Sequence, residues 1–360
     1  MSRDLKFLNA WNSIPNIGPV TIRELREHFG SLEEAWKAGE TDLVSGGLGP
    51  QKIQSVNWKR PSIHPDREME KLLRENIWII TDDDPHFPPD LKEISYPPFF
   101  LYGRGNPQRL VSSPKLGVVG TRRPTPYGIE ATEIIVRELA EAGVTIVSGL
   151  AWGIDAKAHE TTLEAKGITL AILGSGLNQE SIFPPENRGL AKRIAESGLL
   201  LSEYAPWTPA MKGHFPARNR IISGLSKGVL VIEARERSGT QITTRLALEH
   251  NREVFALPGS IFSPTSRGPN HLIQQGAKLV QSAKDILEEL GIEYNEKEQK
   301  SFSMGEREKA IYQLLEEPTS VDAIKEKTNL ETSFIIATIS FLELKNLVKN
   351  LGQDTYQRIS

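Results

Sequence analysis

From Lys115 onward the chain repeats one pattern: a short apolar run rich in β-branched residues, a glycine-bearing turn, then a stretch with helical spacing. The runs fall at 116–119, 144–147, 169–173, 199–201, 229–232 and 254–257. Strands of a parallel sheet are covered on both faces, so they read as unbroken apolar runs and not as alternation. Runs of this kind separated by helical stretches predict a doubly wound α/β domain with a parallel sheet over 115–292.

The flanks follow other patterns. Ile14-Pro15-Asn16-Ile17-Gly18-Pro19 leads into an apolar-periodic stretch over 20–29, and Leu48-Gly49-Pro50 repeats the turn before 51–56. These predict short helical hairpins within a small helical domain over 1–80. Glycine-bearing turns at helix N-termini leave N–H groups that can face a phosphate, as in helix-hairpin-helix modules; they serve equally as punctuation in an ordinary bundle. Residues 81–114 contain Pro85, Pro88, Pro89, Pro97, Pro98, Pro107 and Pro114, a density that excludes a long helix and predicts an irregular connection. A polar stretch over 293–304 reads as a linker. Helical periodicity over 307–315, 321–327 and 332–346, followed by a short hairpin over 347–359, predicts a winged-helix domain at 305–360. That segment has seven Lys/Arg against nine Asp/Glu, and its would-be recognition helix carries only Glu343 and Lys345 as charges. A helix that reads DNA brings cations to phosphates, so a protein-contact or packing role is expected of this domain.

Composition narrows the chemistry. A chain of 360 residues is expected to hold two or three domains. It has no apolar run long enough to span a membrane, and its first residues lack the order of a signal peptide, so a cytoplasmic protein without a membrane partner is expected. Cysteine is absent, which removes disulfides, thiol nucleophiles and thiolate metal sites. The formal net charge of -3 argues against a surface that coats nucleic acid everywhere, but leaves room for a local basic groove. Residues 207–252 are such a segment, with eight Lys/Arg against three Asp/Glu.

In an open parallel sheet, ligands bind beyond the carboxyl ends of the strands, where helix N-termini converge. The candidate motifs cluster there. After the first run stands Gly120-Thr121-Arg122-Arg123-Pro124-Thr125, with Arg122 offering a fork for phosphate and Thr125 a helix cap. After the second comes Ser148-Gly149-Leu150-Ala151-Trp152-Gly153-Ile154-Asp155, where Ser148 and Gly149 leave room for a ligand to reach main-chain N–H groups. Ser238, Gly239 and Thr240 form another helix start, open to capping or anion binding. The densest segment runs from Lys212 through Phe215 to Arg218-Asn219-Arg220. Its cations suit phosphates and its ring suits a base, at about 1–3 kcal/mol per stacked base; a solvated helix face with Phe215 in the core is the plainer alternative.

Several chemistries are excluded. Gly174-Ser175-Gly176 lacks the third glycine of a dinucleotide fingerprint and no P-loop is present, so no nucleotide cofactor is expected. Asp155 and His159 sit four apart on one predicted helix face, an acid and base pair or an ordinary structural contact. His159-Glu160 has no second histidine at metal-ligand spacing, so no metal site and no catalytic residue are expected.

Taken in order, Gly120-Thr121-Arg122, the segment 148–155, the segment 215–226, Glu233-Ala234, Ser238-Gly239-Thr240, Leu257-Pro258-Gly259-Ser260 and Gly268-Pro269-Asn270 resemble the DprA (DNA-processing protein A, Smf) family. The resemblance implies a Rossmann-like central domain, preceded by a sterile-alpha-motif-like or hairpin helical domain and followed by a winged helix. It further implies binding of single-stranded DNA, homodimerisation through the central domain, and delivery of the strand to the RecA recombinase during natural transformation. Arg122, Lys212, Phe215, Arg218, Asn219 and Arg220 match the family's binding-pocket positions. Phe183 stands where Tyr is frequent in the family. The competing reading is a phosphoribohydrolase resembling the cytokinin-activating LOG proteins. Those enzymes use a Pro-Gly-Gly-x-Gly-Thr turn followed by a catalytic Glu, and here Pro258-Gly259-Ser260 and Ser238-Gly239-Thr240 are separate, with no Glu at the needed offset.

Overall fold

The computed structural model describes residues 3–236, 238–293, 306–344, 347–352 and 354–358. They fall into two units, 1–294 and 295–360.

The first unit is built on a nine-stranded sheet. Its strands are β1 (Ile77–Thr81), β2 (Phe100–Gly105), β3 (Lys115–Val119), β4 (Thr145–Ser148), β5 (Thr169–Ile172), β6 (Leu199–Ser202), β7 (Gly228–Val231), β8 (Glu253–Ala256) and β9 (Lys278–Leu279). They lie in the order β1-β2-β6-β5-β4-β3-β7-β8-β9. From β6 to β9 every pairing is parallel, whereas β2 runs antiparallel to β6 and β1 antiparallel to β2. The predicted α/β class with a mostly parallel sheet is thus observed.

Two expectations need correction. The proline-rich stretch is not wholly irregular: Phe100–Gly105 forms β2, and the sheet begins well before residue 115. The prolines flank this strand instead of interrupting it, with Pro97 and Pro98 before and Pro107 after, so its N–H groups remain available to the ladder. The helices Arg3–Asn12, Pro19–Phe29, Pro50–Lys59 and Pro65–Arg74 also have no core of their own. Trp11, Ile22, Leu25 and Val56 share one buried cluster with Tyr102 of β2, Ala171 of β5 and Leu200 of β6. The expected linker over 293–304 lies, apart from Glu293, outside the described residues.

Alternate residues of the strands feed opposite faces, as a period of two requires. On one face Leu116, Val118 and Ile146 meet Ile135, Val136 and Leu139 of helix Pro126–Glu141 and Ala158 of helix Ile154–Glu164. On the other, Val119 and Val147 meet Ile221, Ile222 and Leu225 of helix His214–Leu225. The chain leaves β3 toward β4 on one side and returns on the other side through β7, so strand order reverses at β3. A crevice opens at such a reversal, beyond the carboxyl ends of the strands.

The second unit contains helices Glu306–Leu314, Val321–Thr328 and Thr332–Leu344 and the strands β10 (Thr319–Ser320), β11 (Val348–Gly352) and β12 (Thr355–Arg358), ordered β10-β12-β11. Ile311, Leu315, Ile324, Ile335, Ile339 and Leu342 form its core. Of its expected recognition helix, Glu343 is described and Lys345 is not.

Candidate nucleic-acid interface

A hollow of about 780 Å³ opens at the reversal point. Its walls are the turns that follow β3 and β7 and the start of helix His214–Leu225. Ten of the thirteen candidate residues line it: Gly120, Thr121, Arg122, Lys212, Phe215, Arg218, Asn219, Ser238, Gly239 and Thr240. Ser148, Gly149 and Arg220 do not.

The turns are locked to one another by the backbone. Gly153 has φ +79, and a Cβ there would press on the Thr121 carbonyl oxygen and the Pro124 ring. The Ile154 N–H donates to the Thr121 carbonyl at 3.2 Å, and the Thr121 N–H donates to the Glu233 carbonyl at 2.7 Å. The Glu233 side chain, 1% exposed, completes the lock. Its carboxylate accepts from the Thr125 N–H and Thr125 hydroxyl, both at 2.8 Å, and from the Thr265 hydroxyl at 2.6 Å. The start of helix Pro126–Glu141 therefore already holds an anion, supplied by the protein itself. The Arg122 and Arg123 side chains of this turn are exposed and line the hollow.

Arg218 departs furthest from expectation. It is 6% exposed, and its guanidinium donates to the Gly149 carbonyl at 2.6 Å and to the Ile172 carbonyl, clamping the ends of β4 and β5. A Cβ at position 149 would overlap this guanidinium, which is why glycine stands there. Burial lowers the Arg218 pKa to about 10, against the opposing pull of Asp155. Both carbonyl bonds leave from Nη1, while Nε is buried without a partner among the described residues, so this one nitrogen organises a wall of the hollow that Arg218 also lines. Ser148 is likewise structural: its buried hydroxyl donates to the Val118 carbonyl at 2.6 Å.

Arg220 faces away. Two residues along a helix turn by about 200°, so Arg218 and Arg220 cannot share a face. Arg220 pairs with Glu203 at 2.6 Å and lines a different cavity.

Asp155 and His159 go to separate partners. The Asp155 carboxyl accepts the Gly149 N–H at 3.2 Å and the Ala151 N–H at 3.4 Å, and burial raises its pKa. His159 Nδ1 is 2.6 Å from the Thr169 hydroxyl, and burial, with the Arg218 charge, holds the imidazole down to about 3 from its ordinary 6.5. The unfolded imidazole takes up its proton near 6.5, so between there and about 3 the unfolded state binds more protons. Stability from His159 is complete above 6.5 and is lost as pH falls through that window. Asp155, held up, works in the opposite direction from just below pH 4 upward. His159→Asn, which keeps a bond to Thr169, is therefore expected to flatten the fall in Tm between pH 7 and pH 5. An equally steep fall in the variant contradicts this account.

The rings form a row that sequence reasoning did not assemble. Phe183 lies 5.8 Å from Phe215 and Trp152 lies 5.5 Å from Phe183, centroid to centroid. Trp152 and Phe183 are 38% and 37% exposed. The Arg122 guanidinium stands 5.7 Å from the Phe215 ring centre. Lys212 is exposed, and neither it nor Arg122 has an ion-pair partner among the described residues. The three rings come from segments distant in sequence, and only the fold brings them together.

The family model for DNA recombination-mediator protein A matches residues 78–291. The chain belongs to that family. The DNA processing protein DprA of Bacillus subtilis is 47% identical over 233 residues, covering 64% of this chain and 78% of the relative. The crystal structure of DNA processing protein A from Streptococcus pneumoniae is 36% identical with a TM-score of 0.66, covering 81% of this chain and 97% of that one. A structure of the Helicobacter pylori protein, solved to describe that protein's single-stranded DNA binding mode, is 33% identical with a TM-score of 0.55 over 61% of this chain and 97% of that one. None of the described helices is long and apolar enough to cross a membrane.

Proposed function

We propose that this protein binds single-stranded DNA without regard to sequence, in the hollow at the sheet's reversal point. The observation that carries the reading is the convergence there of Phe215 with Arg122 and Lys212, two cations without an ion-pair partner among the described residues, and the row of rings that continues from Phe215 through Phe183 to Trp152. Cations that track phosphates beside rings that stack bases are the common means of gripping a single strand. The Helicobacter pylori relative's single-stranded DNA binding supports it. The grip needs no covalent chemistry, cofactor or metal, and we read the protein as a binding protein and not as a nucleotide hydrolase.

Family membership supports a recombination-mediator role, in which a cytoplasmic homodimer, joined through its central domain, protects an incoming strand and passes it to RecA. The helical segment over 1–80 then serves as a sterile-alpha-motif-like or helix-hairpin-helix-like element, and residues 305–360 as a winged helix that contacts protein.

Gel shifts with single-stranded and duplex DNA, with and without RecA, test the reading. The single strand is expected to be retained preferentially, and Phe215→Ala to weaken it. Lys212→Ala and Arg122→Ala are each expected to lower affinity for every sequence and to reduce the slope of log K against log salt by about 0.7, one phosphate contact. Unchanged affinity in both variants sinks the assignment.

A further inference from the structure

The segment from Lys212 to Phe215 is a ridge with a hollow on each side. Phe215 lines the one already described; the adjacent residue, His214, lines a second of about 1370 Å³. Gly174 lies against this ridge, since a Cβ there would stand 3.2 Å from Phe215 Cδ1 and 3.3 Å from the His214 carbonyl carbon. A polymer that leaves the first hollow over this ridge enters the second.

The second hollow repeats the chemistry of the first. Tyr204 and His214 form a stacked pair with centroids 3.9 Å apart and planes 19° from parallel. Trp207 is 42% exposed, with the Lys71 ammonium 5.7 Å from its ring centre. Arg220 contributes a guanidinium that is held to Glu203 by one nitrogen and has its Nη1 buried without a partner. The far wall is the Ile14–Pro19 turn, where helix Pro19–Phe29 begins on Gly18 with no side-chain cap.

We propose that this second hollow carries the continuation of the same single strand, with the Tyr204–His214 pair and Trp207 receiving bases beyond the ridge. The inference rests on the reading of the first hollow. It makes the grip a two-chambered track in which Lys212, exposed at the crest, meets the phosphate that crosses.

Anisotropy with the full chain distinguishes the two chambers, using an oligothymidylate short enough to occupy the first alone and a longer one that reaches the second. Phe215→Ala is expected to weaken both. Trp207→Ala and Tyr204→Ala are expected to leave the short strand unchanged and to weaken the long one at least about fivefold, the loss of one stacked base. Tyr204→Phe, which keeps the ring, is expected to retain wild-type affinity. Photo-crosslinking of iodouridine-bearing strands to the wild-type protein needs no variant: distal positions are expected to label the segment from Tyr204 to His214. Long-strand affinity that survives Trp207→Ala and Tyr204→Ala, while Phe215→Ala still lowers it, overturns the second chamber and leaves the first. Crosslinks confined to Phe215 and the ring row that continues from it do the same. Failure of the wild type to bind either strand overturns both.

Discussion

Arg218→Ala is expected to lower the stability of the first unit by about 3–5 kcal/mol, the cost of leaving two buried carbonyls without their donor and a buried carboxyl without a nearby positive charge, and its Tm by roughly 10 °C. The cause is what the guanidinium leaves behind. The Gly149 and Ile172 carbonyls lose their donor, and Asp155, itself buried, loses its countercharge. Arg218→Lys is expected to recover part, because one ammonium can donate to both carbonyls as Nη1 does, but from a shorter side chain without the guanidinium plane. Combining Arg218→Met with Asp155→Asn is expected to cost less than the sum of the two single changes, since neither charge is then stranded. Thermal unfolding decides the matter. If Arg218→Ala melts like the wild type and only loses DNA, the residue is a phosphate contact after all.

That case shows where sequence reading stops. A sheet covered on both faces announces itself in unbroken apolar runs, and β3 to β8 lie within one residue of the predicted stretches. The turns at their carboxyl ends follow from the same pattern, so the candidate residues on those turns converge. β2 was hidden because Pro97, Pro98 and Pro107 mask a strand that they merely bound, and β1 because it lies almost wholly within the stretch assigned to the helical domain. β9, two residues long, is too short to have a pattern.

Solvent access was the other blind spot. Lys212, Arg218 and Arg220 read as equivalent cations, yet among the described residues one has no ion-pair partner, one is clamped to carbonyls and one is paired to Glu203. Helix geometry alone separates Arg218 from Arg220 once the helix is drawn. Which of them meets water depends on β4, β5 and Glu203, residues distant in sequence. The ring row has the same origin, since Trp152, Phe183 and Phe215 come from three different connections.

Glu233 carries the other large effect. Its carboxylate holds the Thr125 N–H and the Thr125 and Thr265 hydroxyls, and bonds to a charged acceptor contribute about 1.5–3 kcal/mol each, less than additively in a shared site. Glu233→Ala is expected to cost about 3–5 kcal/mol, because buried donors and a helix start are left without an acceptor. It also vacates a place shaped for an anion. Sulfate or phosphate is therefore expected to raise the Tm of Glu233→Ala well above its response in the wild type, whereas chloride at equal ionic strength is not. An equal response in both proteins shows that the carboxylate does not fill an anion site. A selective response explains why the turn after β3 meets an incoming strand with side chains, Arg122 among them, and not with its helix start: that is already engaged by Glu233, the residue that binds β7 to β3 across the point where the sheet reverses.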